Sequence, residues 1–561
     1  MKTKIFCLLL AMIMLVGVLA GCSSKKTEDD VGAVADTEES SRISMTLSLW
    51  LPTEEGTTEE AVKQVEEAIN KLTTAKYNTA IEFHAIPRSE YWGTVKAHMD
   101  AITVVIEEEE AAEAARRKEL KALRAQGIKV EETETEAESV EEEETMVNDI
   151  GVTVVKYPEV GEKQMDIFLV TSYQDYLELI DKDLIECLDS ELSGTSKILN
   201  TYIYPTFFEM ANENGIYAIP NNHPVGEFQY LLLNKELVET YDYDIDDLKT
   251  LLKAKDFIID IGNQHLDGVI PLLGEVEAAH MIYFGSDQSE WSLLAQQIAG
   301  LSYYSSLLTP KSIFNNSEYV NTVGLMKQLK SLGYLGDGTL KKGEKFAAAV
   351  ISGDPSVLEP YEDDYYINVY GRPVMEEEDI FGAMFAVSAY TKNLSRSMEI
   401  ITYLNTDPTF RTILQYGVQG VHWDYEREDS EETIKILNND YQMKLTDTGN
   451  VYMTYPGPGI SKDVWEYGKQ KNLSCTTSPF MKFPGYITED NEEMVKELDE
   501  LSKEYKERLD NIPYEDYETE ILKIKQELKA NSLFQIMVRP ETPESIALIY
   551  NNWHDDLYPS D

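Results

Sequence analysis

Ile43-Ser44-Met45-Thr46-Leu47-Ser48-Leu49-Trp50-Leu51 is rich in apolar residues and stops against Pro52, the composition of a strand met by a turn. Thr57-Thr58-Glu59-Glu60 then supplies a polar cap and an acidic first turn. Ala61, Val62, Val65, Ala68, Ile69 and Leu72 follow at helical spacing. Ile81 to Ile86 returns to strand composition, and Tyr91, Trp92, Val95 and Met99 mark a second helix. Apolar strands that alternate with amphipathic helices must lie parallel under helical cover, so β-α-β-α predicts an α/β fold with a parallel sheet.

Upstream of this stretch, Lys2 and Lys4 precede an apolar run from Ile5 to Leu19, too short to span a bilayer comfortably. The run ends at Leu19-Ala20-Gly21-Cys22, followed by Ser23, Ser24, Lys25 and Lys26. Two small residues before a cysteine give a peptidase an uncrowded backbone, and the Cys22 thiol is a nucleophile that can carry a diacylglycerol. The segment resembles the lipobox of bacterial lipoproteins. It implies a signal peptide over 1–21, lipidation at Cys22 and a cell-membrane anchor on the extracellular face, of the Gram-positive type. Residues 22–42 are acidic and poor in large apolar side chains, as a flexible tether should be.

Without the signal, the 561-residue chain retains enough length for two or three domains, and 43% hydrophobic with 10% aromatic residues suffices for sizeable cores. A net charge of −52 argues against nucleic acid, whose phosphates need Lys and Arg to displace counterions, and against an electrostatic grip on anionic lipid. The acyl chains must therefore do the anchoring. Beyond Cys7 and Cys22 only Cys187 and Cys475 remain, which leaves either one disulfide or two free thiols.

The α/β pattern is interrupted by an acidic insertion, placed at 101–163. Glu107 to Ala125 is strongly helix-forming, and Glu131 to Glu144 is nearly all Glu and Thr, a disordered composition. Regular structure resumes with the buried-strand pattern Met165-Asp166-Ile167-Phe168-Leu169-Val170. Further units are expected around 216–233, 269–273, 346–351 and 381–387. Helices are expected over 395–404, 409–415, 492–530 and 543–557. Asp242-x-Asp244-x-Asp246 begins like a calcium loop, but Asp247 stands where glycine is needed and Lys253 where glutamate is. It reads instead as a helix cap.

Gly215-Ile216-Tyr217-Ala218-Ile219-Pro220, followed by Leu232-Leu233-Asn234-Lys235-Glu236-Leu237, resembles a segment of the family 1 extracellular solute-binding proteins, the carbohydrate type of ABC-transporter substrate-binding lipoproteins. Gly343 to Asp354 and Arg411 to Tyr425 are similar to two later segments of that family. This chain departs from the pattern at Leu233, Ala349, Val350 and Gln419, and Asp166 arrives only after the insertion. The resemblance implies a two-lobed periplasmic-binding-protein-like fold joined by hinge strands, which closes on a ligand and presents it to ABC permease subunits. On that scheme 43–190 form lobe 1, 191–380 lobe 2, and 381–425 the return to lobe 1 and the hinge. Residues 426–561 form a C-terminal helical region packing mainly on lobe 2.

A sugar site needs aromatic platforms and a few placed polar groups. Trp50 before Pro52 and Tyr173 after the 166–170 strand stand where strands should open onto the cleft. Asn221, Asn222 and His223 follow Pro220, and His422 with Trp423 is bracketed by Gly417 and Gly420. Asp354 and Tyr416 complete the expected ligand-binding set. Each has a structural alternative: core packing for Trp50, loop bonding for the asparagines, a packed helix terminus for His422 and Trp423. The seven histidines show no HExxH spacing, and G-x-S-x-G and phosphate-loop motifs are absent, so neither catalytic residues, metal nor cofactor is expected. The expected function is capture of a carbohydrate, an oligosaccharide, by a monomer that hands it to a permease. The alternatives are a surface glycoside hydrolase using a carboxylate pair and a non-transport glycan-binding or adhesion lipoprotein.

Overall fold

The structure, a computed structural model, describes residues 43–125, 145–147, 153–273, 312–315, 317–336, 343–353, 355–427, 430–478, 481–485, 487–539 and 541–557. Strand β1 (Met45–Thr53) leads into α1 (Glu59–Tyr77), β2 (Thr79–Pro87) and α2 (Arg88–Ala125). Thr58 caps α1 by accepting from the Ala61 N–H, and Asn78 ends it in the left-handed conformation. Then come β3 (Ile167–Val170), α3 (Tyr173–Asp181), α4 (Pro205–Ala211) and β4 (Ala218–Pro220).

The first sheet has the order β2-β1-β3-β9-β4, where β9 is Met384–Val387. Strands β1, β2 and β3 run parallel and β9 runs antiparallel to both β3 and β4, so β1 to β4 all end on the same edge. Every residue of β3 and β9 is buried, as strands covered on both faces must be. Asp166, fully buried, ties three segments together at the start of β3. Its carboxylate accepts from the Ser48 N–H (2.8 Å), the Gln164 amide (2.8 Å), the Thr391 hydroxyl (2.8 Å) and the Lys392 N–H (2.7 Å).

The second sheet comprises β5 (Phe228–Asn234), β6 (Val269–Leu273), β7 (Lys345–Gly353) and β8 (Tyr365–Gly371), in the order β8-β5-β7-β6. Helices α5 (Lys255–Asn263) and α6 (Ser317–Leu332) cover it through Phe257, Ile261, Leu325 and Leu329. Two sheets with separate cores give the two-lobed periplasmic-binding-protein-like fold.

Several boundaries differ from the sequence reading. Leu192, Leu199, Phe207, Ile380 and Phe381 pack in the core of the first sheet. Residues 191–220 therefore belong with lobe 1, and the lobes part between β4 and β5 and again between β8 and β9. The first part of the insertion is no separate helix, because α2 runs unbroken for 38 residues. It buries Tyr91, Val95, Met99 and Ile102 and then continues with residues 107–118 exposed. Residues 145–147 and 153–155 pair as two short antiparallel strands, and Glu131 to Glu144 lies outside the described residues.

After β9, α7 being the preceding short helix Glu377–Phe381, the chain forms α8 (Leu394–Thr406) and α9 (Pro408–Tyr416). The C-terminal region then divides its packing. Tyr441, Met443 and Met481 join the first core. The helices α11 (Glu492–Asn511), α12 (Tyr517–Ala530), α13 (Ser532–Val538) and α14 (Ile546–Leu557), which follow α10 (Val464–Ser474), enclose a core with Phe314 and Tyr319 beside α6. Asp244 caps the 3-10 turn Ile245–Asp247 by accepting from the Asp246 N–H at 2.9 Å, the capping use of the Asp-x-Asp-x-Asp run. Cys187 and Cys475 are both free thiols. No helix among the described residues is long and apolar enough to cross a membrane.

Candidate functional site

A cleft of about 600 Å³ opens where the two sheets are joined. The first crossing, between β4 and β5, contributes His223, Gly226 and Glu227. The second, between β8 and β9, contributes Arg372, Val374, Glu376, Glu378, Asp379, Gly382 and Ala383. Strand residues Gln229, Ser352 and Gly371 form the lobe 2 side, and Lys444, Thr446 and Thr476 close the rim. The cleft thus lies beyond the carboxyl edge of the first sheet, the place where open α/β sheets bind ligands.

The two crossings touch backbone to backbone. Gly226 has φ +58°, and a Cβ there would sit 2.5 Å from the Val374 oxygen and 2.8 Å from its nitrogen. Only glycine permits both the left-handed backbone and that approach. Val374 and Met375 in turn pair with Thr476 and Thr477 in a short parallel ladder, so a third segment braces the second crossing. The loop bearing Lys444 and Thr446 is held from below. Buried Asp447 pairs with Arg88 at 2.5 Å, and fully buried Arg411 donates to the carbonyls of Leu445 (2.6 Å) and Gly449 (3.2 Å). Desolvation lowers the pKa of Arg411 to about 9.

Of the residues expected to bind ligand, His223 lines the cleft. Its Nδ1 is 2.8 Å from the Asn221 carbonyl oxygen, which can only accept, so the proton resides on Nδ1 and Nε2 faces Asp379 Oδ1 at 3.9 Å. Asp379 also accepts from the Glu376 N–H at 2.8 Å at the start of α7. Asn221 lies beneath the floor, fully buried. Its amide donates to the Thr446 carbonyl at 2.7 Å and its N–H to the Ala383 carbonyl at 3.0 Å, while its Oδ1 has no donor.

The other expected residues lie elsewhere. Trp50 is 7% exposed in the lobe 1 core, stacked on His84 at 4.0 Å. Pro52 does not end β1, which pairs with β2 through Thr53, so Trp50 is mid-strand rather than at its mouth. Tyr173 opens α3 after the Ser172 cap and packs on Phe381 at 4.5 Å, its hydroxyl donating to Glu213 at 3.1 Å. Asn222 is committed to backbone, accepting from the Tyr204 N–H and donating to the Tyr202 carbonyl. His422 and Trp423 close a self-satisfied turn: His422 Nδ1 accepts the Val418 N–H at 3.0 Å and Trp423 Nε1 donates to the Gly417 carbonyl at 2.9 Å. Tyr416 donates to the Tyr455 carbonyl at 2.7 Å beside them, and these rings form a satellite core with Ile434. Asp354 and Cys22 lie outside the described residues.

The cleft residues that sequence reading passed over are Glu227, Arg372, Glu376, Glu378, Asp379, Lys444 and Thr446. Glu376-Glu377-Glu378-Asp379 is inconspicuous in a chain with 101 acidic residues. The one available signal was Gly371-Arg372-Pro373, a break between two strand patterns. Glu376 is exposed, with its carboxyl desolvated in part by neighbouring protein. That desolvation raises its pKa and the Asp379 charge adds to the effect, against a bond from Ser478. Among the described residues no cluster of three His, Cys, Asp or Glu side chains is arranged to hold a metal.

Fold and cleft define a two-lobed periplasmic-binding-protein-like architecture, and a solved structure shares that fold. The chain is similar to a carbohydrate ABC transporter substrate-binding protein of Streptococcus pneumoniae, 30% identical over 104 residues, 18% of this chain and 21% of the relative. It thus spans about a fifth of that relative's length. The crystal structure of an N-glycan transport solute-binding protein from Streptococcus pneumoniae superposes with a TM-score of 0.51 at 15% identity, over 91% of this chain and all (100%) of the other. A family 1 extracellular solute-binding protein from Alicyclobacillus acidocaldarius aligns at TM-score 0.40 and 11% identity, over 88% of this chain and 99% of the other. No protein-family profile matches the chain.

Proposed function

We propose that this protein is the ligand-capturing lipoprotein of an ABC importer, which takes a carbohydrate, an oligosaccharide, between its lobes and delivers it to the permease. The cleft at the crossings carries this reading. Its volume of about 600 Å³ suits a small-molecule site, and its walls come from both lobes, so hinge closure would enclose the ligand. The relative named as a carbohydrate substrate-binding protein supports the ligand class. Acylation at Cys22 would hold the protein at the extracellular face of the cell membrane, with 22–42 as tether.

Calorimetry of the chain from residue 23 onward against a panel of oligosaccharides and peptides tests the ligand class. A saturable one-to-one response to a sugar is expected, and a response to peptides alone sinks it. Radiolabelled palmitate tests the anchor: label on the wild type and none on Cys22→Ala is expected, and equal labelling of both refutes acylation at that residue.

A further inference from the structure

The cleft walls are not those of a neutral-sugar site. Neutral sugars offer ring faces that aromatic platforms cover, yet among the described lining residues there is no Phe, Tyr or Trp. Four carboxylates, of Glu227, Glu376, Glu378 and Asp379, share the space with two cations, Arg372 and Lys444. None of the four makes an ion pair with a lysine or arginine among the described residues; the partner of Asp379 is His223 at 3.9 Å.

Glu376 is exposed and its carboxylate accepts the Asp379 N–H at the start of α7, so it lines the cleft with a backbone donor and no lysine or arginine partner among the described residues. Asn221 lies fully buried beneath the lining residues His223, Ala383 and Thr446, so its orphaned Oδ1 is a cost carried inside the floor and not a ligand contact.

We infer that the cleft takes a sugar bearing a free ammonium group, a de-N-acetylated amino sugar, in place of a neutral oligosaccharide. This rests on the carbohydrate reading above and narrows it. The ammonium group donates to the carboxylates of the second crossing, a charge-assisted contact that shortens and strengthens as closing lobes expel water. Arg372 and Lys444 remain to donate to sugar hydroxyls.

Calorimetry on the chain from residue 23 onward, with three ligands, tests this. They are a β-1,4-linked glucosamine oligomer, its fully N-acetylated counterpart, and spermidine as a cation without a sugar. The glucosamine oligomer should bind at least about tenfold tighter than the acetylated one, and its affinity should fall as salt rises. Glu378→Gln should weaken the glucosamine oligomer about fivefold and leave any acetylated binding unchanged. Glu362→Gln, away from the cleft, should change neither, and matching melting curves will show that both variants fold. Equal or tighter binding of the acetylated oligomer overturns the inference and leaves the carbohydrate reading standing. A response to spermidine with none to either sugar, or silence toward all three, overturns the inference, while the carbohydrate reading falls only with silence toward the wider oligosaccharide panel.

Discussion

Replacing Gly226 with alanine probes the contact on which the cleft is built. Two costs add. Left-handed backbone at φ +58° costs an alanine about 1–2 kcal/mol. The new Cβ would also stand 2.5 Å from a backbone oxygen and 2.8 Å from a backbone nitrogen of Val374. Neither atom can swing aside as a side chain can, so the second crossing must shift, an overpacking cost of about 1–3 kcal/mol. Gly268 separates the two terms, since it has φ +72° with nothing within 4 Å of the point a Cβ would occupy. Gly268→Ala should therefore lose about 1–2 kcal/mol and Gly226→Ala about 2–5 kcal/mol. Equilibrium urea unfolding reads both, with the first transition compared because two lobes need not unfold together. Equal losses in the two variants would show that the crossings are not in tight backbone contact and would refute the reasoning.

Asp166→Ala should cost about 3–5 kcal/mol in the same assay, because it strands the buried N–H groups of Ser48 and Lys392; a loss below about 1 kcal/mol contradicts the buried network. In the folded chain from residue 23 onward, Cys187 is exposed and should react rapidly with a maleimide. Burial pushes the Cys475 thiol up to about 12, so it should react slowly, and finding no free thiol would show a disulfide. Desolvation, helped by nearby His98, lowers the His84 pKa from 6.5 to about 4, while its Nε2 sits 2.9 Å from Glu82. The unfolded chain then binds the extra proton between those values, so this contribution is complete above pH 6.5 and fades as pH falls toward 4. Between pH 7.5 and 5 the wild type should lose about 2 kcal/mol more than His84→Gln, and parallel losses would refute the shift.

The fold was legible in the sequence because its signals are local. The β1-α1-β2 stretch carries its own periodicity and caps, and the apolar run at Ile167 to Val170 needs burial on both faces. Of the elements that escaped, two show the physical reasons. Tyr365–Gly371 is a half-exposed strand whose alternation is blurred by tyrosines, and α2 absorbed Glu107 to Ala125 because no helix breaker separates them from Met99. The site was far less legible. Aromatic residues attract attention as sugar platforms, but Trp50, Tyr173 and Trp423 are also the side chains with most to gain from burial, and the cores took them. The cleft walls come from short irregular segments, 223–227, 371–383 and 444–446, that meet only in three dimensions and have no periodicity to read.

The most direct test is hydrogen–deuterium exchange on the chain from residue 23 onward, with and without whichever saccharide gives the strongest calorimetric response. Amides over 223–229, 371–383 and 444–446 should slow together on ligand addition, while those of the distant helices α11 to α14 keep their rates. Protection confined to the Trp423 turn or to the β1 core around Trp50, with the three cleft segments unchanged, would contradict capture between the lobes.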